Sequence, residues 1–288
     1  METLGSSKLT PEQIAQYRDQ GFYFPVPVFD DAEAGMFRKR FEEYLGQSLK
    51  QVEGVIPRER RVIFAGTHFM LHWVYQIVSH PNVLAAVEGV LGPDLLVWES
   101  AWFFKFPKDK AFVSWHQDGT YWGIHPPNVV TAWVALSESK PENGCLRVIP
   151  KTHKSSFLSQ RETYDRDNML SRGQEVAVEV DDSLAVDLVL RPGEMSLHHV
   201  VIVHGSKANT SEMPRIGIAI RYTSPDVVQE APERQIVQLV RGKDRYGHFD
   251  VVEPPREGVV NHELQAEALR RVLVNVLPAD STKGKVEP

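Results

Sequence analysis

The sequence has a single cysteine, Cys145, in 288 residues. One thiol cannot close an internal disulfide, which suits a reducing compartment. It also cannot build a thiolate zinc cluster, so any metal centre has to draw on His, Asp and Glu. No apolar run approaches the roughly 20 residues that a membrane-spanning helix needs. The opening stretch METLGSSKLTPEQ lacks the apolar core of a signal peptide. A basic stripe is missing too: net charge is -6 with a pI of about 6.0, so nucleic acid is not an expected partner. These absences together give the expectation of a cytoplasmic protein that meets neither membrane nor nucleic acid; as to assembly, a monomer or homodimer is expected, and the sequence does not choose between them. Repeats, low-complexity tracts and linker-like stretches are also missing. With 42% hydrophobic residues, the chain can bury one sizeable core, and one domain over residues 1–288 is expected.

What is present falls into two textures. From about residue 10 to 92 the pattern is helical. Thr10 is a candidate N-cap with Pro11 in the first turn, Ile14 and Tyr17 give one apolar face, and Gly21 ends the helix. Phe22 to Val28 reads as extended. Asp30 and Asp31 open a longer helix with Phe37, Phe41, Tyr44 and Leu45 at helical spacing, to about Gln47. Pro81 to Leu91 gives another helix, stopped by Gly92 and Pro93. From 94 to about 240, short β-branched and aromatic runs alternate with turns rich in Pro, Gly and Asn: Leu95–Phe106, Val129–Leu136, Cys145–Ile149, Ala185–Leu190, Met195–Val203 and Ile216–Tyr222. Strands at this spacing predict an all-β sandwich or barrel. A last helix is expected over about 262–276.

The segment Trp115-His116-Gln117-Asp118 carries the chemistry. Residues two apart on a strand share a face, so His116 and Asp118 can direct an imidazole nitrogen and a carboxylate oxygen at one point. His204, ending an apolar run before Gly205, is the candidate third ligand. His198 and His199 beside it, and His125 near His116, are the competing imidazoles. Two histidines and one carboxylate make the facial set of non-haem iron oxygenases, which leaves positions open for an oxidant and a co-substrate. Arg215 follows His204 by eleven residues and opens the next strand. 2-Oxoglutarate, which chelates iron through its keto and C1 carboxylate oxygens, needs a fixed cation for its far carboxylate. A guanidinium offers an always-charged, bidentate fork for it. Lys105 and Arg221 are the next cations in line for that role.

At this point the residues resemble the phytanoyl-CoA dioxygenase family, through several segments in order. These are Trp115-His116-Gln117-Asp118; Thr131 to Leu136; Glu142-Asn143-Gly144-Cys145-Leu146; Ile149-Pro150-Lys151-Thr152-His153-Lys154; Arg191-Pro192-Gly193-Glu194; His204-Gly205-Ser206; and Arg215. The similarity runs from about residue 10 to 225. It implies a mainly β fold with flanking helices: a double-stranded β-helix, the cupin-like jelly roll, with its helices on one side. It implies iron(II) held by His116, Asp118 and His204, with dioxygen and 2-oxoglutarate as co-substrates. Arg215 would take the distal carboxylate, helped by Ser206, with Trp133 and Thr131 near it on one strand face. Halogenating relatives replace the carboxylate ligand by Ala or Gly. Asp118 stands here, which favours hydroxylation of a small organic molecule. Desaturation, epoxidation or ring closure stay open, as does a metal-binding jelly roll without activity.

The substrate side is less legible. Trp102, Tyr121, Trp122 and His125 flank the metal segments and are candidates for an aromatic wall. Asn168, Ser171 and Arg172 lie in a stretch between the central and late strands that suits a lid, and Arg172 could meet an anionic group. Arg58-Glu59-Arg60-Arg61 reads as a solvated loop that could also touch substrate.

Overall fold

The computed structural model describes residues 7–275; the opening residues 1–6 and the last predicted helical residue, 276, lie outside that range. Thr10 caps the Pro11–Gln20 helix as expected. Its hydroxyl accepts from the Gln13 backbone N–H at 3.3 Å, while the Gln13 side chain accepts from the Thr10 N–H at 2.8 Å. Gly21 ends the helix at a φ of 85°, in the left-handed region that favours glycine. The second helix runs from Asp31 to Val52, and the Pro81–Leu91 helix matches its predicted bounds. Between them lie three short helices, Pro57–Ile63, Thr67–Met70 and His72–Val78. The first of these replaces the solvated loop expected around Arg58–Arg61: Pro57 starts the helix, and Arg60 is buried. The last described helix is His262–Asn275.

The core is a double-stranded β-helix, a jelly roll. A seven-stranded sheet has the spatial order Phe22–Pro27, Glu194–His199, Val129–Ala135, Arg215–Thr223, Leu95–Lys105, Ile236–Arg241, Asp250–Val251. All its neighbours are antiparallel except the last pair. The second, four-stranded sheet has the order Val113–His116, His204–Ser206, Leu146–Val148, Val186–Leu188. The run Met195–Val203 is not one strand. The strand stops at His199, and residues 200–203 carry the chain into the second sheet.

A period of two sorts the central strand into two faces. Ile216, Ile218, Ile220 and Tyr222 join Trp102, Phe104, Val130 and Val134 in one apolar cluster with Phe41 and Phe64 from the helical layer. Burying each such side chain contributes about 1.5–3 kcal/mol. The other face holds Arg215, Gly217, Ala219 and Arg221, and it is this face that looks into the space between the sheets. Ala219 packs there with Trp133, Leu146 and Val148 of the two sheets. Glycine is required at 217: a Cβ there would lie 2.2 Å from the buried Trp133 ring. Gly217→Ala is therefore expected to cost about 1–3 kcal/mol, the usual range for overpacking. Chemical denaturation checks this, and an unchanged midpoint would show that the ring has room to move.

Candidate metal and co-substrate site

His116 ends its strand, and Gln117 continues the extended backbone at φ -115° and ψ 135° before a 3-10 turn begins at Asp118. The strand's parity therefore survives through Asp118, as the His-x-Asp spacing predicts. Gln117 points the opposite way and is pinned. Its amide donates to the Val201 carbonyl at 2.7 Å and its oxygen accepts from the Leu158 N–H at 2.7 Å. His204 sits directly opposite His116 in the antiparallel pair.

Three ligand atoms, one each from His116, Asp118 and His204, lie within 4.8 Å of one another. His116 Nε2 is 3.5 Å and His204 Nε2 is 4.0 Å from the same oxygen, Asp118 Oδ1. Each ring's Nδ1 faces carbonyl oxygens: Ser114 and His204 for His116, at 2.9 and 3.0 Å, and Ile202 for His204, at 3.0 Å. A carbonyl only accepts, so both Nδ1 atoms carry the proton and both Nε2 lone pairs are free for a cation. Burial, with His116 and His198 nearby, pushes His204 well below its ordinary value and keeps it neutral.

Burial alone would push the Asp118 carboxyl up. The Arg221 guanidinium overrides it, with His116 and His204 helping, and holds the group well below the usual carboxylate range. Arg221 donates to Asp118 Oδ1 at 3.3 Å and to Glu99 Oε2 at 3.1 Å, while Thr131 donates to Asp118 Oδ2 at 3.3 Å. Thr131, expected near the co-substrate, thus touches the candidate ligand carboxylate.

The same cavity is lined by Trp133, Ser206 and Arg215. Arg215 is 2% exposed, and one nitrogen donates to the Gly144 carbonyl at 3.0 Å. Its Nε and second terminal nitrogen have no partner among the described residues. Its guanidinium carbon lies 5.1 Å from the Trp133 ring centre, and burial brings its pKa down to about 10. Across the sheet, Lys105 pairs in register with Arg215 and donates to Ser206 Oγ at 2.7 Å. Burial first, then Arg215, pushes the Lys105 ammonium well below its ordinary value. This end of the site therefore offers two closely spaced basic groups and no carboxylate in ion-pair contact with either among the described residues.

The family pattern for phytanoyl-CoA dioxygenase (PhyH) matches residues 17–217. The chain belongs to the phytanoyl-CoA dioxygenase family. It is a non-haem iron, 2-oxoglutarate-dependent dioxygenase. It is 25% identical over 261 residues to the peroxisomal phytanoyl-CoA dioxygenase of Homo sapiens, covering 82% of this chain and 77% of that protein. Among solved structures it is similar to the non-haem monooxygenase ThoJ in its apo form, at 31% identity and a TM-score of 0.77. That match covers 91% of this chain and 95% of the other. It shares its fold with CytC3 containing Fe(II) and alpha-ketoglutarate, at 22% identity and a TM-score of 0.63, over 86% and 94% of the two chains.

In this dioxygenase the candidate aromatic wall is divided. Trp102 belongs to the helix-facing side of the sheet, which corrects its placement at the substrate. It stacks on Phe41 with ring centres 4.2 Å apart and donates to Thr67 Oγ1 at 3.0 Å. An even step from Trp102 leads to Phe104, whereas the cavity face of that strand carries Glu99, Ala101, Phe103 and Lys105. Trp122 backs Arg221, its ring centre 5.2 Å from the guanidinium carbon. Tyr121 meets Arg172 at 5.2 Å, and Arg172 is neutralised by Glu162 at 2.7 Å. Asn168 is buried and donates to Ser114 Oγ at 2.8 Å, tying its loop to the Val113–His116 strand; Ser171 is exposed. Of the competing histidines, His125 is exposed, and His199 is turned to His153 with ring centres 5.4 Å apart. His198 does line the cavity. Phe103 and Ala219, also on its walls, carry no signal in the sequence beyond their even spacing from Lys105 and Arg215. Among the described residues, no helix is long and apolar enough to cross a membrane.

Arg221→Leu would strand two buried carboxylates, Asp118 and Glu99, and should cost about 3–5 kcal/mol, read from denaturant unfolding of the metal-free protein. A loss under about 1 kcal/mol would show that water already solvates them. A second expectation concerns His68, buried on the helix side with Nδ1 2.7 Å from Ser100 Oγ, and pushed down to about 3 by burial. Its folded-state pKa is below the unfolded value, so the unfolded chain takes the proton first. The stability it contributes is full above about pH 6.5 and is lost as pH falls towards 3, by about 1.4 kcal/mol per pH unit. His68→Asn should flatten that slope, and an identical pH dependence in the variant would rule out this source.

Proposed function

We propose that this dioxygenase hydroxylates a small organic molecule, with His116, Asp118 and His204 holding iron(II) and Arg215 holding the distal carboxylate of 2-oxoglutarate. The observation that carries the reading is the buried Arg215 guanidinium, with two unpaired nitrogens, in the cavity that also holds the three ligand atoms. An uncompensated buried charge costs several kcal/mol, and a carboxylate arriving there relieves that cost through a planar, two-pronged contact. Iron bound at the triad supplies the oxidation of substrate by dioxygen, coupled to decarboxylation of 2-oxoglutarate to succinate and carbon dioxide.

The chain's own residues do the positioning. The Nδ1–H contacts lock the imidazole rings so that Nε2 faces the centre, and Arg221 with Thr131 fixes the carboxylate plane of Asp118. Three protein ligands leave further coordination positions open. Ser206 and Lys105 stand beside Arg215 as a hydroxyl and an amine for the same carboxylate. Trp133 forms a flat wall under the Arg215 guanidinium. Asp118 fills the position that halogenating relatives leave empty for chloride, which supports hydroxylation.

The test is anaerobic titration of iron(II) with 2-oxoglutarate, followed by succinate release in air. Alanine at His116, Asp118 or His204 should remove both the visible charge-transfer band and turnover. Arg215→Ala should raise the 2-oxoglutarate KM by the equivalent of about 2–5 kcal/mol, and Arg215→Lys by less. Pyruvate, without a distal carboxylate, should gain relative to 2-oxoglutarate in the alanine variant. An unchanged 2-oxoglutarate KM there would move the clamp to Lys105.

A further inference from the structure

The Pro57–Ile63 helix carries three arginines, and they meet different fates. Arg58 is half-buried and donates to the Tyr164 carbonyl at 3.0 Å. Arg60 is neutralised by Asp109 at 3.1 Å. Arg61 is half-buried, and its Nε donates to the Met169 carbonyl at 3.1 Å. Its two terminal nitrogens have no hydrogen-bond or ion-pair partner among the described residues. Its guanidinium carbon lies 5.8 Å from the centre of the Phe103 ring, and Phe103 lines the cavity that contains the metal triad. Burial pushes the guanidinium down, Glu99 and Asp118 draw it back up, and Arg221 opposes them, so Arg61 stands within the field of the site. Glu99 and Asp118 are already in contact with Arg221, and neither reaches Arg61.

Resting on the oxygenase reading above, we propose that the substrate carries a carboxylate and that Arg61 binds it. The Nε contact to Met169 fixes the plane of the fork and leaves its two terminal nitrogens for an acceptor. A bidentate pair with a carboxylate is the geometry that a guanidinium held in this way offers best. Phe103 beneath it is an apolar side chain on the wall of the cavity that holds the candidate metal ligands. On the neighbouring strand, in register, Gly217 lies beside Phe103 and Ala219 beside Ala101. The Trp133 ring covers Gly217, while Ala219 and Phe103 stay on the cavity wall, where the body of the substrate would lie. Arg215, the cavity arginine without a counter-charge, serves the co-substrate. The two anions are thus received by separate guanidinium groups, one on the central strand and one on the helix that packs beside the Leu95–Lys105 strand.

The experiment uses the protein loaded anaerobically with iron(II) and saturating 2-oxoglutarate, so that Arg215 is occupied. Binding of 3-phenylpropionate and hexanoate is measured by calorimetry against their primary amides. The carboxylates should bind at least about tenfold more tightly than the amides, a difference of about 1.4 kcal/mol. Arg61→Gln should abolish that preference and leave amide binding and the charge-transfer band unchanged. Arg61→Lys should restore part of it, since charge returns without the fork. Equal binding of acids and amides to the parent protein, or an intact preference in Arg61→Gln, would overturn the assignment. Failure of the oxygenase reading would look different: the band would be missing from the parent protein before any probe was added.

Discussion

Asp118 is a carboxylate that water no longer solvates, and the contact with Arg221 is what allows it to stay charged there. Burial acts to protonate it; the guanidinium, the Thr131 hydroxyl and two imidazoles act to keep it ionised. Arg221 in turn is buried, and Glu99 supplies its second counter-charge. The candidate metal carboxylate is therefore one end of a chain of three charges, all between the two sheets. Such chains contribute little to net stability. Here their orientation is the useful part, since it aims Oδ1 at the two Nε2 atoms.

The central strand connects this chain to the opposite end of the site. Its register places Arg221 beside Glu99 and Arg215 beside Lys105, so acid meets base at one end and base meets base at the other. The first pair is complete in itself. The second is left wanting an anion, and between them Gly217 makes room for the Trp133 ring. On the reverse of the same strand, four large apolar side chains bury themselves against the helices. One strand thereby carries both the packing that fixes the sheet and the charges that define the cavity.

Much of this is legible in residue order. The capped first helix, the Pro81–Leu91 helix, the β-rich middle and the common direction of His116 and Asp118 follow from local patterns, because capping, breaker residues and strand parity are local physics; His204 stays one of several candidate histidines until sheet pairing sets it opposite His116. Parity also predicts that Arg215 and Arg221 share a face, being six apart, and that Glu99 and Lys105 do too. What it cannot supply is register, which decides that Arg221 meets Glu99 and Asp118. Trp102 escapes it for a related reason: an aromatic in an unbroken apolar run gives no sign of which face it takes, and its partners Phe41 and Thr67 are far away in sequence. The helix containing Arg61 is hidden by its charge, since Arg-Glu-Arg-Arg looks solvated until Asp109, Phe103 and Met169 are brought against it.

The alternation of the central strand also limits how the choice of 2-oxoacid can drift. Moving the Arg215 cation by one position would turn it into the helical layer. Moving it by two would shift it about 6.6 Å along the strand, far more than one methylene group. With Arg215 in its proposed role, the distance from the candidate metal ligands to the cation is set in coarse steps by the backbone, and shorter or longer dicarboxylates differ from 2-oxoglutarate by increments that the strand has no means of matching.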